Sequence, residues 1–299
     1  MMLAMLVEEP SSPAPAQLTW RNRSSLAAYV FNSAFTYASL TGVFGATNTE
    51  LSKKYQTLVT PAGFAFSIWG PIFIAEGFFA VAQMLPRFRG TAAARAAAPW
   101  WWAACLCQVC WTLAFAQEVI PLSLVCMLGI LVCLLGVARS TDALELTCAE
   151  YWLLRAPFSL HLGWIIAASA VNASVQADAA EASPQTLLGL AVSSDAVICT
   201  VATCLAVVAR RPDAIACLVV AWAFGGIYAE LGNPENLDSP DRFNPYIWDR
   251  VTLGGLRRAA LGVVMLALGL AVLAAVRTAL IARRDSRGRR DNQPASFSA

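Results

Sequence analysis

Charge is what this chain has least of. Asp, Glu, Lys and Arg make up 13% of its 299 residues, against roughly 25% in an ordinary soluble domain. Lysine is confined to Lys53 and Lys54, and His161 is the sole histidine. Neither lysine falls inside an apolar stretch, which argues against a retinal-type Schiff base within a helix. The sequence has no GxxxxGK[ST] loop, no H-E-x-x-H helix and no G-x-S-x-G elbow. The usual signatures of nucleotide hydrolysis, zinc proteolysis and serine esterase chemistry are therefore missing. Residues 1–23 form a polar segment with Glu8, Glu9 and three prolines and no sustained apolar core. They read neither as a secretory leader nor, with acids ahead of Arg21 and Arg23, as a transit peptide. Cysteine is not scarce, at nine, but the spacings in CLCQVC (Cys105, Cys107, Cys110) do not match the C-x-x-C pair of a zinc site. Small apolar packing residues are the simpler reading.

The excess is apolar: 58% of residues are hydrophobic. A bilayer absorbs such a surplus, and a spanning helix needs about 20 mainly apolar residues. Eight stretches qualify, at roughly 24–45, 61–85, 99–118, 120–138, 152–177, 189–209, 213–231 and 258–281. The third and fourth would merge into a helix far too long for a bilayer. Pro121 suits the first turn of a new helix, so two antiparallel spans are the better division. The sixth is interrupted by Asp195. Either Ser193 and Ser194 cap a broken helix, or the helix starts late, with Ser194 or Asp195 as its N-cap. The fold class is therefore all-α, a polytopic membrane bundle of about eight helices. With eight spans both termini share a side. That side then holds fifteen of the 21 Lys and Arg residues and the other side six, which makes it the inner one.

Trp100, Trp101 and Trp102 follow Pro99 at the start of a span and, like Trp152, suit an interfacial belt. Trp69, Trp111 and Trp164 lie deeper. They carry a family resemblance. TPAGFAFSIWGPIF, residues 60–73, resembles the start of the second helix of the TspO family, the tryptophan-rich sensory proteins related to the peripheral-type benzodiazepine receptor. Pro61, Gly63, Phe66 and Trp69 match, while Ile72 and Phe73 replace the family's Leu-Tyr. Gln108, Trp111, Thr112 and Phe115 resemble the third family helix. PFSLHLGWIIAASAVN, residues 157–172, resembles the fifth, with Trp164 and Asn172 eight apart. The departures are Glu76, where members commonly carry Met, and Pro157, seven rather than four residues before Trp164. The resemblance covers residues 24–177, a five-helix unit. Three further spans over 178–282 and a basic tail, 283–299, complete a layout similar to the long, eight-span members. The resemblance implies a membrane protein that binds porphyrins or sterols.

Glu76 lies deep in its span, where a charge is costly unless it faces the interior, a cavity or another subunit. Phe73 and Trp69 share its face. It reads as a pocket or relay residue, or as an interhelical anchor. His161 reads as a packed histidine, with axial ligation of haem or chlorophyll as the alternative. Asn172, Asn32 and Gln83 read as interhelical hydrogen-bonding residues. The tail arginines suit anionic lipid or an acidic partner better than nucleic acid.

The resulting expectation is a non-enzymatic bundle that binds, and passes on, a flat hydrophobic molecule such as a tetrapyrrole, sterol or carotenoid. Porphyrin, chlorophyll and carotenoid are the candidate cofactors. The expected lining is Trp69, Phe73, Glu76, Gln108, Trp111, Phe115, Trp164 and Asn172. Two rivals stand beside it. One is an accessory subunit of a respiratory or photosynthetic membrane complex. The other is a proton- or ion-coupled transporter using Glu76 and Asp195. Partners are membrane lipid, the small molecule, and a homo-oligomer or larger assembly. The membrane is thylakoid, mitochondrial or bacterial inner membrane, which the sequence does not resolve. The charge bias predicts that cysteines introduced at Ser52 and Ser286, in a background stripped of exposed native cysteines, label from opposite faces. Labelling from one face would exclude the eight-span topology.

Overall fold

The computed structural model describes residues 17–232 and 248–291, with side chains described as far as Arg283. The opening segment 1–16, Arg242 of the charge count and the end of the basic tail lie outside the described residues. All described regular structure is helical. α1 is Trp20–Ser39, α2 Asn48–Lys54, α3 Gly63–Ala82, α4 Ala92–Ala116 and α5 Ile120–Thr141. α6 is Cys148–Ala179, α7 Pro184–Val208, α8 Ala214–Glu230 and α9 Arg250–Asp291. Eight of the nine are long and overlap the eight expected spans. Five (α3, α5, α6, α7 and α9) are long and apolar enough to cross a membrane, and α8 is a shorter apolar helix. The protein is an all-α membrane helix bundle.

Local chemistry sets the boundaries. Thr91 and Ser183 cap α4 and α7, each side chain accepting from the backbone N–H three residues on. Glu118 takes a φ of 56° between α4 and α5, and Val119 N–H bonds back to Ala114 at 2.8 Å. That left-handed stop ends α4, and Pro121 opens α5, so the division of the long apolar run holds. Pro157 shapes α6. It has no N–H to give the carbonyl one turn back. The chain opens into a wide π-helical turn over Tyr151–Arg155, with Ala156 N–H bonded to Tyr151 O.

Asp195 does not behave as expected. α7 runs unbroken from Pro184 past Asp195, with Ser183 as its cap, so neither the late start nor the broken helix occurs. A carboxylate in mid-helix leaves the backbone hydrogen bonds intact. Pro184 and Ser183 supply the stronger start signal.

The core runs through the middle of the bundle. α5 packs on α4 and α6, α6 on α8, and α8 on α9, while α3 lies between α1 and α6. Small residues set the spacings. A side-chain carbon on Gly163 would lie 2.7 Å from Ala216 O and from Val219 Cβ, so α6 and α8 are nearly in backbone contact. α8 is thus built into the five-helix unit from which the sequence pattern separates it. The inner end of this seam is polar. Buried Arg155 donates to Thr141 Oγ1 (3.1 Å) and to Arg211 O (3.4 Å). Ser159 donates to Asp213 Oδ2 (2.6 Å), and Asp213 also caps α8 through Ala216 N–H.

Because that seam has no slack, Gly163→Val should cost at least the roughly 1–3 kcal/mol of an overpacked core. Gly189→Ala, at a position with no neighbour within 4 Å, should not. Thermal melts of both variants in detergent check this; equal melting points would refute the close approach.

Candidate functional site

The site begins where α3 is least regular. Thr57 N–H is held by Thr60 Oγ1 (2.9 Å), Pro61 follows, and Gly63–Ile68 form a tight 3₁₀ segment. Residues three apart eclipse in such a helix, so Phe66 and Trp69 fall in one line. Both meet Trp164 of α6 edge to face, at ring-centroid distances of 5.6 and 6.2 Å. Phe73, one turn on, lies 5.9 Å from Trp69. On α4, Trp111 and Phe115 stack at 5.2 Å and 13°. Edge-to-face and offset pairs are the favoured aromatic arrangements, so these rings hold one another.

Two cavities lie against them. The smaller, about 60 Å³, is bounded by Trp69, Trp111, Phe115, Trp164 and Asn172, with Met127 of α5 and Ala223 and Ile227 of α8. The larger, about 380 Å³, opens among α1, α2, α3 and α4, with Phe73, Gln108, Tyr37 and Leu40 on its walls. Phe66, Trp69 and Trp111 border both. These three rings stand as a partition between a smaller inner chamber and a larger outer one. The outer chamber is within the usual size range of small-molecule sites.

Seven of the eight sequence-picked residues therefore line one chamber or both. Glu76 is the exception and lines neither. It is 1% exposed and its Oε1 lies 2.8 Å from His161 Nδ1. The physical reason is pairing: a carboxyl group buried among helices is stabilised by the one imidazole within reach. His161 also lies off both walls. Its ring packs edge-on against Trp69 at 5.6 Å, so the pair buttresses the partition from behind. Among the described residues its Nε2 has no hydrogen-bond partner, and neither has Glu76 Oε2. The axial-ligand alternative is left with that one nitrogen, on a residue that lines neither chamber.

The smaller chamber has few polar groups on its walls, whereas the larger one mixes its rings with polar side chains, among them Ser52, Lys53, Gln56, Gln108 and Glu230. Asn172 accepts from Trp111 Nε1 (3.3 Å) and donates to Ser123 Oγ (3.2 Å), tying α6 to α4 and α5. Gln108 is 1% exposed, and among the described residues neither its amide oxygen nor its nitrogen has a partner. Such an amide keeps both donors and an acceptor available at the cavity wall.

Sequence reasoning missed α2, and it marked α8 as a span without placing it at the site. α2 brings Asn48 and Ser52, with Tyr55 just beyond its end, over both chambers or beside them. It is fastened down by Lys54 and by Tyr55 Oη (2.6 Å), both on Glu118, and beyond it by Gln56 on Glu230 (2.5 Å). Bonds from Lys54 and then Tyr55 hold the Glu118 carboxyl below its usual range. The same carboxylate raises Lys54, so the pair stays ionised through neutral pH. The Thr-x-x-Glu capping box at Thr47 and Glu50 is the sequence signal that marks α2. For α8 the signal is Gly225–Gly226. A side-chain carbon on Gly226 would meet Ala65 Cβ at 2.7 Å, and Gly226 O accepts from Ala62 N–H (3.1 Å).

A family model described as TSPO-like protein matches residues 22–240. The match passes well beyond residue 177 and takes in α7 and α8, as the chamber walls do. No curated protein and no solved structure matches the chain.

Removing one partner of the Glu76–His161 pair should cost about 3–5 kcal/mol. Glu76→Leu with His161→Leu should cost clearly less than the two single changes added together. A double-mutant cycle on detergent melts measures the coupling; strict additivity would mean that the two groups do not support each other.

Proposed function

Since the chain belongs to the TSPO-like family, whose members suggest ligand binding within the membrane, we propose that it binds a flat hydrophobic molecule between its helices. Tetrapyrroles, sterols and carotenoids form the class. The observation that carries the reading is the partition: three aromatic rings set between two chambers, with the unpartnered Gln108 amide on the outer wall. The rings supply stacking area for a planar body. Gln108 can both donate to and accept from one polar group on it.

The outer chamber borders Tyr37 and Leu40 of α1, which are 53% and 58% exposed on the outside of the bundle. A hydrophobic molecule can reach it from the bilayer between α1 and α3. The inner chamber is too small to hold such a molecule while the partition stands closed. Deeper seating requires Trp69 or Trp111 to turn, and that movement is how binding would become passage along or across the membrane. Binding and passage need no covalent step, so the role is that of a carrier or receptor and not an enzyme. A porphyrin, chlorophyll or carotenoid would be its cargo. Residence in an organellar or bacterial inner membrane, and membership of a homo-oligomer or larger complex, fit this role equally.

One observation favours proton coupling as a second reading. The Glu76–His161 pair is buried, titratable and in ring contact with Trp69. Asp195, its proposed companion, lies on α7 outside both chamber linings.

A porphyrin should quench the protein's tryptophan fluorescence saturably at micromolar concentration. Trp69→Leu combined with Trp111→Leu should weaken that binding at least tenfold, with helical content and monodispersity unchanged. Equal affinity in the double variant would place the ligand elsewhere.

A further inference from the structure

We propose that a cleft between the first turns of α1 and α4, at the end of the bundle away from α2, binds the phosphate of an anionic phospholipid. The cleft encloses about 380 Å³ and is lined by Arg21, Arg89 and Arg95; among the described residues it has no Asp or Glu on its walls. Two other cavities of similar or larger volume are mixed in sign, one lined by Glu145 and Arg211, the other by Glu230 and Lys53. Concentrated positive charge in a concave site attracts an anion. The planar guanidinium fork matches phosphate oxygens better than an ammonium does.

The cleft is built, not merely a gap between surface arginines. Its floor is a reciprocal amide pair. Asn22 Nδ2 donates to Gln83 Oε1 and O, both at 2.8 Å, and Gln83 Nε2 returns a bond to Asn22 O at 2.9 Å. Both residues are buried. Arg95 donates to the carbonyl of Gly90, which fixes its arm at the turn, and a guanidinium has five N–H donors. Arg89 Nη2 is held by Met84 O (2.7 Å). The heads of Arg89 and Arg95 are thus pre-positioned by backbone carbonyls, while Arg21 lies over the Trp20 ring.

Depth identifies the occupant as a lipid. Trp20 packs against Trp102 at 5.3 Å, and Trp102 Nε1 donates to Ser25 Oγ (3.0 Å) on the cleft wall. Indoles with polar partners mark the headgroup level of a bilayer. Leu106, one turn beyond Trp102, is 63% exposed and offers an apolar track for an acyl chain. The cleft lies on the arginine-rich side, the inner one by the charge bias, where anionic lipids face the protein. The lipid would staple α1 to the α3–α4 turn, and these are the three long helices that wall the outer chamber from its other end.

The test uses the full-length protein in detergent, supplemented with phosphatidylglycerol, phosphatidylcholine or soluble glycerol phosphate, read by thermal melting and native mass spectrometry. Phosphatidylglycerol should raise the melting temperature and stay bound; the other two should not. Arg21→Gln with Arg95→Gln should weaken retention at least tenfold, while Arg139→Gln, outside the cleft, should not change it. Circular dichroism and gel filtration report whether the double variant folds. If it does not, Arg21→Gln alone, at an exposed position, should still weaken retention severalfold. Unchanged retention in whichever of these folds overturns the proposal. So does equal protection by phosphatidylcholine, which removes the charge argument, or by glycerol phosphate, which makes the site one for free phosphate.

Discussion

Inside a bilayer every backbone N–H and C=O must find a partner within the protein, and one stretch of this chain cannot do so by being an α-helix. The turn at Thr57–Thr60 and the 3₁₀ segment after Pro61 have groups that a regular helix would satisfy. α8 satisfies them. Gly226 O accepts from Ala62 N–H, and Trp222 Nε1 donates to Ala65 O at 3.0 Å. Such close approach demands small residues on both sides, and Gly226, Ala62 and Ala65 provide them. The irregular start of α3 is what lines Phe66 and Trp69 up toward Trp164. The ring partition, and with it the division into two chambers, therefore depends on α8 being docked.

The smaller chamber is walled mainly by rings and aliphatic side chains, while the larger one adds polar groups from α1, α2 and α3. Asn172 is bound by Trp111 and Ser123, so its role in the chamber is to hold the Trp111 ring in place. Gln108 is uncommitted. A buried amide without partners costs on the order of 1–3 kcal/mol. Asn172 thus shapes the pocket, while Gln108 keeps a donor and an acceptor at the wall of the outer chamber.

Glu76 shows how burial alters a residue's meaning. Depth in an apolar helix marks it as functional or paired, and pairing is what the fold supplies. A carboxyl group and an imidazole from helices 85 positions apart in sequence lie together behind Trp69. The pair acts on the chambers through the ring it supports. It also ties α3 to α6 at a level where few other polar contacts cross between them.

The sequence by itself determined the class of the protein. Scarce charge and repeated apolar stretches dictate a membrane bundle, because no soluble core could bury so much apolar surface. Proline, threonine and serine positions set most helix boundaries, since caps and missing N–H groups act locally. Three motifs marked Trp69, Trp111 and Trp164, whose residue type and depth are visible without coordinates. Only the tertiary structure decided what those residues meet. It took Glu76 off the cavity wall and gave it to His161. It carried α7 straight past Asp195. It brought α2 and α8 to the chambers, and it gathered three arginines from separate elements into one cleft. Each of these is a contact between residues distant in the chain. A one-dimensional pattern records what each helix can bury; which neighbour it is buried against is settled only when the whole bundle packs.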